Sequence, residues 1–445
     1  MNKLNQPLSG WGRYPVQTCA TSRPERYQDL QASSTTQIAR GQGRSYGDAA
    51  LGETVILTER VNRMLAFDST AGTLRAEAGV TLAEVLEVIV PQGWFLPVTP
   101  GTRFVSLGGC VAADVHGKNH HHDGAFSQHI IALELILADG AKVACSATEN
   151  AALFWATVGG MGLTGIIGEV SLRLIPITSP YMQVRHYAAA NLTGVFALFD
   201  NAALDDAYSV AWIDSLATGK SLGRSVLMTG HHADAADLPS VMRPAAKSTL
   251  SMPFDLPAFV LNPWTVKAFN QFYYSREGHK TQPFFAHYSD YFYPLDGIAH
   301  WNRLYGKSGF VQYQCVIPTA GAFAAVTALL EKLAASRRPS FLAVLKKLGA
   351  QNQGLLSFPL AGYTLALDIP MRDAGVLALT RELDAIVLAH GGRVYLAKDA
   401  LLTAQTFRIM YPRHAEWLRI KQAVDPDGRF ASSMSQRLDL GVQHG

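Results

Sequence analysis

Two glycine-rich segments carry the residue types best suited to bind an anionic ligand. The first runs from Ile38 to Asp48 and reads IARGQGRSYGD, and the second runs from Pro100 to Asn119 and reads PGTRFVSLGGCVAADVHGKN. Glycine lets the backbone approach a ligand closely and adopt positive φ angles, so exposed N–H groups can surround an anion. Because the two segments lie about sixty residues apart, we expect them to hold one large phosphate-bearing ligand from two sides.

The spacing of these glycines differs from that of the Rossmann dinucleotide-binding motif. Gly41, Gly43 and Gly47 follow the pattern GxGxxxG, and no helical pattern comes after Asp48. A Rossmann motif has the spacing GxGxxG, a helix behind it and an acidic residue about 20 positions further on. Glu59 lies near that distance, but the helix is missing. We therefore predict FAD in a site of another type, with ordinary tight turns as the alternative for either loop alone.

Five motifs are distributed along nearly the whole chain. They are LSGWGR at 8–13, GQGRSYGD at 41–48, PGTRFVSLGG with DVHGKNHH from residue 100, LFWATVGG with GLTGII from residue 153, and AKD at 397–399. In this order they resemble the vanillyl-alcohol-oxidase-like family of FAD enzymes, and within it the members that oxidise polyprenyl-phosphate sugars. Many relatives in the wider family carry a histidine bonded covalently to the flavin where this chain has Arg44, so we expect non-covalent FAD.

The resemblance implies an activity and its alternatives. It implies oxidation of the 2′-hydroxyl of a polyprenyl-phosphoryl-β-D-ribose to a 2′-keto sugar. A separate NAD(P)H-dependent short-chain reductase would then complete epimerisation to the arabinose form used in the cell envelope. The alternative enzyme is an aldonolactone or alditol oxidase of the same superfamily that acts on a soluble polyol. The alternative from another class is a flavin-binding sensor or assembly subunit without catalysis.

Three residues are the candidates for catalysis. Alcohol oxidation by a flavin needs a proton acceptor for the hydroxyl group, and the protein must supply it. Lys398 matches the essential lysine of the family, and burial can lower the pKa of a lysine enough to make it a base near neutrality. Tyr46, in the first loop, is placed to relay a proton or hold the substrate against the flavin. His116, behind the second loop, is placed to hydrogen-bond the flavin or the substrate.

The remaining site residues follow from the family motifs and from strand periodicity. Gln312 and Gln314 alternate with Tyr313 on one predicted strand, so both side chains face the same way. The residues that we expect to bind FAD are Arg40, Gly41, Gln42, Gly43, Arg44, Ser45, Gly47, Asp48, Pro100, Gly101, Thr102, Ser106, Leu107, Gly108, Gly109, Ala112, His116, Gly117, Asn119, Gly165, Ile167 and Tyr395. Those that we expect to bind the substrate are Lys118, Trp212, Tyr293, Gln312, Gln314, Lys346, Thr364, Asp368 and Lys398.

Composition agrees with a large folded enzyme and argues against other classes. With 445 residues, 48% of them hydrophobic and 16% charged, the chain exceeds what one core usually organises, so two domains are expected. A net charge of +3 does not favour a nucleic-acid partner. The four cysteines show no CxxC spacing and are interpreted as unpaired thiols. The histidines at 120–122 have no acidic ligand at regular spacing, so no metal is expected.

The predicted elements indicate an α+β protein with two domains and a returning tail. An FAD-binding domain of the vanillyl-alcohol-oxidase/PCMH type is expected at 1–176, followed by an antiparallel-sheet substrate domain flanked by helices at 177–395. The segment 396–445 is expected to return to the FAD domain, with two helical pieces split at Pro412. Thr81 is expected to cap a helix from Leu82 to Val90, and Asn150 to cap another through Trp155.

No segment reaches the ~18 apolar residues of a membrane span, and the first residues lack the apolar core of a signal peptide. We therefore expect a cytoplasmic protein, with peripheral contact at the inner face of the membrane as an added hypothesis. The segment Met252–Tyr274 is aromatic and broken by prolines, and we expect a loop that lines the path of a lipid tail or touches a bilayer. An ordinary packed loop is the alternative.

Overall fold

The computed structural model describes residues 4–240, 242, 250–257, 259–338 and 340–441. Its first sheet brings the first glycine-rich segment to one edge, in the strand order β1-β2-β4-β3. β1 and β2 are antiparallel, whereas β4 is parallel to both of its neighbours. The strands are β1 (Leu4–Ser9), β2 (Val16–Ser22), β3 (Ile38–Arg40) and β4 (Thr54–Leu57). The first glycine-rich loop is the connection from β3 to β4.

A second, antiparallel sheet supports the second glycine-rich segment. Its strand order is β5-β6-β10-β8-β9. A short pair of strands, β7 and β11, lies beside it. The strands are β5 (Met64–Asp68), β6 (Thr73–Glu77), β7 (Trp94–Phe95), β8 (Ile130–Ile136), β9 (Lys142–Cys145), β10 (Ile166–Arg173) and β11 (Ile175–Pro176).

Short helices connect the strands of this second sheet along the chain, and the best predicted of them begins at a capping box. They are α1 (Leu82–Ile89), α2 (Leu107–Ala112), α3 (His120–Asp123) and α4 (Ala151–Thr157). The Thr81 side chain accepts a hydrogen bond from Glu84 N, and the Glu84 carboxylate accepts one from Thr81 N. At the start of α4, Asn150 has a left-handed backbone and its side chain donates to Ala144 O instead of capping. The sequence did not predict α2, which Ser106 caps.

An eight-stranded antiparallel sheet forms the second half of the described chain. Its strand order is β16-β12-β14-β13-β19-β20-β18-β21, and β15 pairs with β17 outside it. The strands are β12 (Tyr181–Ala189), β13 (Tyr208–Ile213), β14 (Ser225–His232), β15 (Leu250–Ser251), β16 (Phe284–His287), β17 (Ile298–Ala299), β18 (Phe310–Pro318), β19 (Ala343–Leu348), β20 (Gly362–Pro370) and β21 (Arg393–Val394). Its helices are α5 (Leu192–Phe199), α6 (Pro263–Gly278), α7 (Tyr288–Phe292), α8 (Ala322–Ala335) and α9 (Gly375–Ala389).

The C-terminal segment packs back onto the first half of the chain. It forms α10 (Ala404–Met410), α11 (His414–Val424) and α12 (Ser433–Arg437). The buried Trp417 indole donates to Ala156 O at 2.8 Å, and the buried Lys421 ammonium donates to Leu163 O at 2.8 Å. The prediction of two helical pieces was wrong, since the described tail has three. Pro412 precedes α11 by two residues instead of occupying its first turn.

The observed elements confirm the α+β class, and the segment 252–274 differs from its prediction. The expected loop is helical from Pro263 onward, because Asn262 caps α6 and Pro263 occupies its first position. Ala258 of this segment lies outside the described residues. The boundaries at residues 176 and 395 stay a prediction. All four cysteines are buried and unpaired, as expected.

Candidate active site

Both glycine-rich loops open onto one cavity, which also reaches the eight-stranded sheet. The cavity has a volume of about 310 Å³, which lies within the range of about 300–1,000 Å³ that is typical of small-molecule pockets. The predicted site residues along its wall are Gly41, Gln42, Gly43, Arg44, Ser45, Tyr46, Pro100, Gly101, Thr102, Ser106, Gly108, Gly109, Ala112, His116, Gly165, Ile167, Gln312, Gln314, Lys346, Thr364, Tyr395 and Lys398.

The first loop offers a row of free backbone donors to this cavity. Among the described residues, no acceptor receives the N–H groups of residues 41–45, and Gly43 has a positive φ of 61°. The next amide, Tyr46 N, donates to Ala397 O at 3.0 Å and ties the loop to the segment that carries Lys398. Buried or half-buried N–H groups normally find a partner. This row therefore fits the phosphates of a dinucleotide such as FAD.

The second loop does not present the expected ring of free amides, because several of its N–H groups have protein acceptors. Leu107 N donates to Val80 O and Gly108 N to Ala78 O, both at 2.8 Å. Gly109 N donates to the Ser106 hydroxyl at 3.3 Å. Gly108 serves close packing, because a Cβ there would lie 2.9 Å from the Ala78 Cβ. A Cβ at Gly101 would meet no protein atom within 4 Å, so this end of the loop is the part left open to a ligand.

Lys398 reaches the cavity beside Tyr46. Its ammonium group lies 3.9 Å from the centre of the Tyr46 ring. Burial lowers the pKa of Lys398 to about 7, while the Asp368 carboxylate raises it and the Lys346 ammonium lowers it further. Burial likewise lowers the pKa of Lys346 to about 8. A lysine with such a pKa exchanges a proton near neutrality, which the chemistry of a general base requires.

Asp368 lies behind the cavity wall and fixes Gln312. Its carboxylate accepts hydrogen bonds from Gln312 Nε2 at 2.6 Å and from the Tyr305 hydroxyl at 3.0 Å. Burial raises the pKa of Asp368 to about 7, although both hydrogen bonds and the Lys398 charge lower it. Asp368 therefore orients the Gln312 amide, and its negative charge favours the protonated form of Lys398. Asp368 does not line the cavity itself.

His116 and Gln314 form a second polar group on the same wall. Gln314 Nε2 lies 3.1 Å from His116 Nε2 and 3.2 Å from the Thr364 hydroxyl. With the amide nitrogen donating, His116 Nε2 is the acceptor, and its Nδ1 carries the proton. Burial first, and then the charge of Lys346, hold the pKa of His116 well below its ordinary value. His116 Nδ1 is buried without a partner among the described residues. It can therefore donate a hydrogen bond to a ligand in the cavity.

Arg44, which takes the place expected for the flavin-linked histidine of many relatives, lines the cavity. Its guanidinium group stacks 4.1 Å above the Trp11 ring and 5.4 Å from the Phe104 ring. A guanidinium group cannot form the covalent bond that a histidine forms with a flavin. Trp11, which belongs to the motif LSGWGR at 8–13, is also part of the cavity wall.

Six predicted cofactor residues lie outside the cavity lining and support it from behind. They are Arg40, Gly47, Asp48, Leu107, Gly117 and Asn119. Arg40 donates to Ser9 O at 2.6 Å, and Asn119 donates to Pro97 O at 2.7 Å. A Cβ at Gly47 would clash with Asp399 O. Asp48 faces Arg437 instead of the cavity, so a protein cation already satisfies it.

Four predicted substrate residues also lie outside the lining. Besides Asp368, they are Lys118, Trp212 and Tyr293. Lys118 donates to Tyr291 O and lies 4.0 Å above the Tyr291 ring. Trp212 packs against Tyr273 with ring centres 4.8 Å apart, and the Tyr293 hydroxyl bonds the Thr99 hydroxyl at 2.5 Å. The polar groups of Lys118 and Tyr293 therefore already have protein partners.

Sequence reasoning missed several residues of the wall. Asp296 and Trp301 line the cavity, and so does Val344 on β19. Asp296 accepts a hydrogen bond from Arg103 N at 2.9 Å and so joins the second loop to the segment 293–301. Its only signal in the sequence was an acidic residue in an aromatic run, which is not specific.

Comparison with known proteins agrees with this geometry. Residues 26–146 match the family of FAD binding domains, and residues 367–438 match D-arabinono-1,4-lactone oxidase. The decaprenylphosphoryl-β-D-ribose oxidase of Mycolicibacterium smegmatis is 38% identical, with 97% of each chain covered. A Streptomyces coelicolor protein described as "Uncharacterized protein in mprA 5′region" is 33% identical over 81% of this chain and all of its own. Human Δ(24)-sterol reductase is 29% identical over 39% of this chain and 33% of its own.

Proposed function

Because the chain belongs to the FAD-dependent oxidase family that includes decaprenylphosphoryl-β-D-ribose oxidase, we propose that it oxidises the 2′-hydroxyl of a polyprenyl-phosphoryl-β-D-ribose to the 2′-keto sugar. The observation that carries this proposal is the convergence of the free amides at 41–45 and of Lys398 on one cavity. The match of residues 26–146 to an FAD binding domain confirms FAD as the cofactor. Its non-covalent attachment is part of the proposal and is supported by Arg44.

The chain's own residues bind the cofactor, orient the sugar and accept the proton of its reacting hydroxyl group. When bound, FAD supplies the acceptor for the hydride that leaves the sugar carbon. The amides at 41–45 would hold its phosphates. Gln312 and Gln314, fixed by Asp368 and Thr364, offer amide groups to the hydroxyls of the sugar.

Lys398 takes the proton from the reacting hydroxyl. Its pKa of about 7 leaves a large neutral fraction at neutral pH, and neutral amine nitrogen has the lone pair that a base needs. The ring face of Tyr46 packs against the Lys398 amine and attracts its protonated form. Burial keeps the pKa of Tyr46 well above its ordinary value, so its hydroxyl stays protonated and acts as a donor. Lys346, on the same wall, is the cation for the phosphate of the substrate.

The polyprenyl tail is assigned to the segment beside the cavity mouth. Backbone hydrogen bonds and the β15–β17 pair hold residues 250–256 against residues 298–303, next to the wall residues Asp296 and Trp301. This segment, α6 and the residues just before α6 expose large apolar side chains, namely Leu250, Phe254, Phe259, Trp264 and Phe272. Trp264 is 82% exposed and Phe259 75% exposed. Among the described residues, no helix has the length and apolarity to cross a bilayer. From the exposed apolar side chains we propose peripheral contact at the inner, cytoplasmic face of the membrane.

Liposome flotation tests this contact. We expect the variant Phe259→Ser/Trp264→Ser to float with anionic liposomes less than the wild type does. Ile409 on α10 is 61% exposed and lies outside this segment, so Ile409→Ser is the matched control. Equal flotation of all three proteins would remove the proposed membrane contact and leave the proposed oxidation untouched.

The product requires a second enzyme. A 2′-keto sugar becomes the arabinose epimer only after a hydride is returned to the opposite face of the same carbon. We assign that step to a separate NAD(P)H-dependent short-chain reductase. Mixing the two purified proteins with substrate and NAD(P)H should give the epimer, whereas the chain described here alone should stop at the ketone.

Anaerobic reduction of the bound flavin tests the main proposal. Polyprenyl-phosphoryl-ribose should bleach the flavin absorbance within seconds of mixing, and Lys398→Met should slow this bleaching by about 10²–10⁴-fold. The match of residues 367–438 to D-arabinono-1,4-lactone oxidase favours an aldonolactone as the second candidate substrate. Bleaching by D-arabinono-1,4-lactone but not by the lipid-linked sugar would reverse the assignment. Bleaching by neither would indicate a flavin-binding protein of another class.

A further inference from the structure

Two histidines and one aspartate meet on the surface away from the cavity. His121 and His122 lie on α3, and Asp205 lies in the loop before β13. His122 Nε2 is 3.1 Å from Asp205 Oδ1, and His121 Nε2 is 3.9 Å from the same oxygen. One ligand atom from each of the three residues lies within 4.8 Å of the other two. The sequence could not predict this group, since Asp205 is 83 residues from His122.

The separations suit a small tetrahedral cation. Zn²⁺ binds imidazole nitrogen and carboxylate oxygen at about 2.0–2.2 Å, which places neighbouring tetrahedral ligand atoms about 3.3 Å apart. The two measured distances to Asp205 Oδ1 bracket this value. Three protein ligands leave one position for water. The side chain of His121 is 11% exposed and that of Asp205 is 56% exposed. His121 therefore lies on the buried side of the group, and Asp205 lies on the solvent side, from which an ion can enter.

Neighbouring contacts hold both ligand-bearing segments in place. Asp206, next to Asp205, accepts hydrogen bonds from the Thr229 hydroxyl at 2.5 Å and faces His231 Nδ1 at 3.0 Å. On the other side, Ser209 N donates to Lys118 O at 2.9 Å and fixes the approach to α3. The three ligands are therefore positioned by strands β13 and β14, and binding an ion would require little reorganisation.

We propose that His121, His122 and Asp205 form a binding site for one Zn²⁺ ion per chain. The ion links α3, which follows the second glycine-rich loop, to the loop that enters β13 of the large sheet. Such a link exists only in the folded protein, so Zn²⁺ should stabilise the native state, and above the Kd this stabilisation should grow with the logarithm of the free Zn²⁺ concentration.

The test uses the full-length, FAD-loaded protein without a histidine tag. Titration calorimetry with ZnCl₂ should show one site per chain, and the Tm should rise with the logarithm of the free Zn²⁺ concentration above the Kd. MgCl₂ should have no such effect, because Mg²⁺ prefers an octahedral shell of oxygen ligands.

Matched variants decide whether these three residues are the ligands. His122→Ala and Asp205→Asn should each weaken Zn²⁺ binding by at least about tenfold and remove the Tm rise, since loss even of an outer partner of a ligand costs about 10–100-fold. His279 is exposed at the end of α6, so His279→Ala is the control and should bind as the wild type does. Absence of 1:1 binding in the wild type, or unchanged binding in both ligand variants, would overturn the proposal.

Discussion

Replacing Arg437 by methionine should destabilise the protein far more than removing a surface arginine. Arg437 on α12 contacts both oxygens of Asp48, at 3.0 and 2.7 Å, and lies 2.9 Å from the carboxylate of Asp399. Asp48 ends the first glycine-rich loop, and Asp399 follows Lys398 directly. The arginine is therefore the cation that joins the FAD loop to the segment of the proposed base.

The expected loss follows from burial. Asp48 and Asp399 are both 5% exposed, so the variant leaves two buried carboxylates without their cation. Removing one partner of a buried ion pair costs about 3–5 kcal/mol of unfolding free energy. Because the Arg437 side chain is itself 24% exposed, the lower end of that range applies. A loss of about 3 kcal/mol corresponds to a fall in Tm of about 6–12 °C for a domain of 150–250 residues.

The pH dependence of this loss has a definite sign. Burial raises the pKa of Asp48 above its ordinary value, while Arg437 lowers it. A buried carboxylate with a raised pKa destabilises the fold when it is ionised, and this penalty disappears as pH falls through the folded-state pKa. Without Arg437 the pKa of Asp48 rises further. The Tm deficit of Arg437→Met should therefore be largest at pH 8 and smaller at pH 5.

Differential scanning calorimetry of the FAD-loaded proteins measures both effects. Arg408→Met is the matched control, because Arg408 pairs with Asp439 at the surface, with side chains 46% and 44% exposed. Exposed ion pairs contribute about 0–1 kcal/mol, so its Tm should fall by less than about 4 °C. Equal Tm changes in the two variants, or a deficit for Arg437→Met that grows as pH falls, would refute the reasoning.

Three further predictions concern the reaction and the cofactor. Lys398→Met should slow anaerobic flavin reduction by about 10²–10⁴-fold, the usual contribution of a general base, with little change in the visible spectrum of the bound flavin. In the wild type the rate of flavin reduction should rise with pH through an apparent pKa near 7, because Lys398 accepts the proton only when neutral, and Lys398→Arg should lose this rise. Acid precipitation of the yellow protein should leave the flavin in the supernatant, since Arg44 offers no covalent link, and a yellow pellet would contradict that assignment.

Local patterns predicted those parts of the fold that short-range contacts decide. The capping box at Thr81 forms within four residues, so the sequence alone placed the start of α1. The alternation of Gln312, Tyr313 and Gln314 placed both amides on one face, because side chains alternate along any strand. Tyr313 duly points the other way and donates to Asp384 on α9 at 3.0 Å.

The partners of the site residues depend on contacts that no local pattern encodes. Gln314 meets His116 across 198 residues, and Gln312 meets Asp368 across 56. The amides of the second glycine-rich loop looked free in the sequence, but Ala78 and Val80 of a neighbouring segment accept two of them. Lys118 and Tyr293 looked suited to a substrate, yet Tyr291 and Thr99 satisfy their polar groups.

A crystal structure of the FAD complex tests the proposed site most directly. We expect the phosphates of FAD against the amides of residues 41–45 and the flavin ring in the part of the cavity next to Lys398. Phosphates bound elsewhere, or a flavin ring remote from the Lys398 ammonium group, would contradict it.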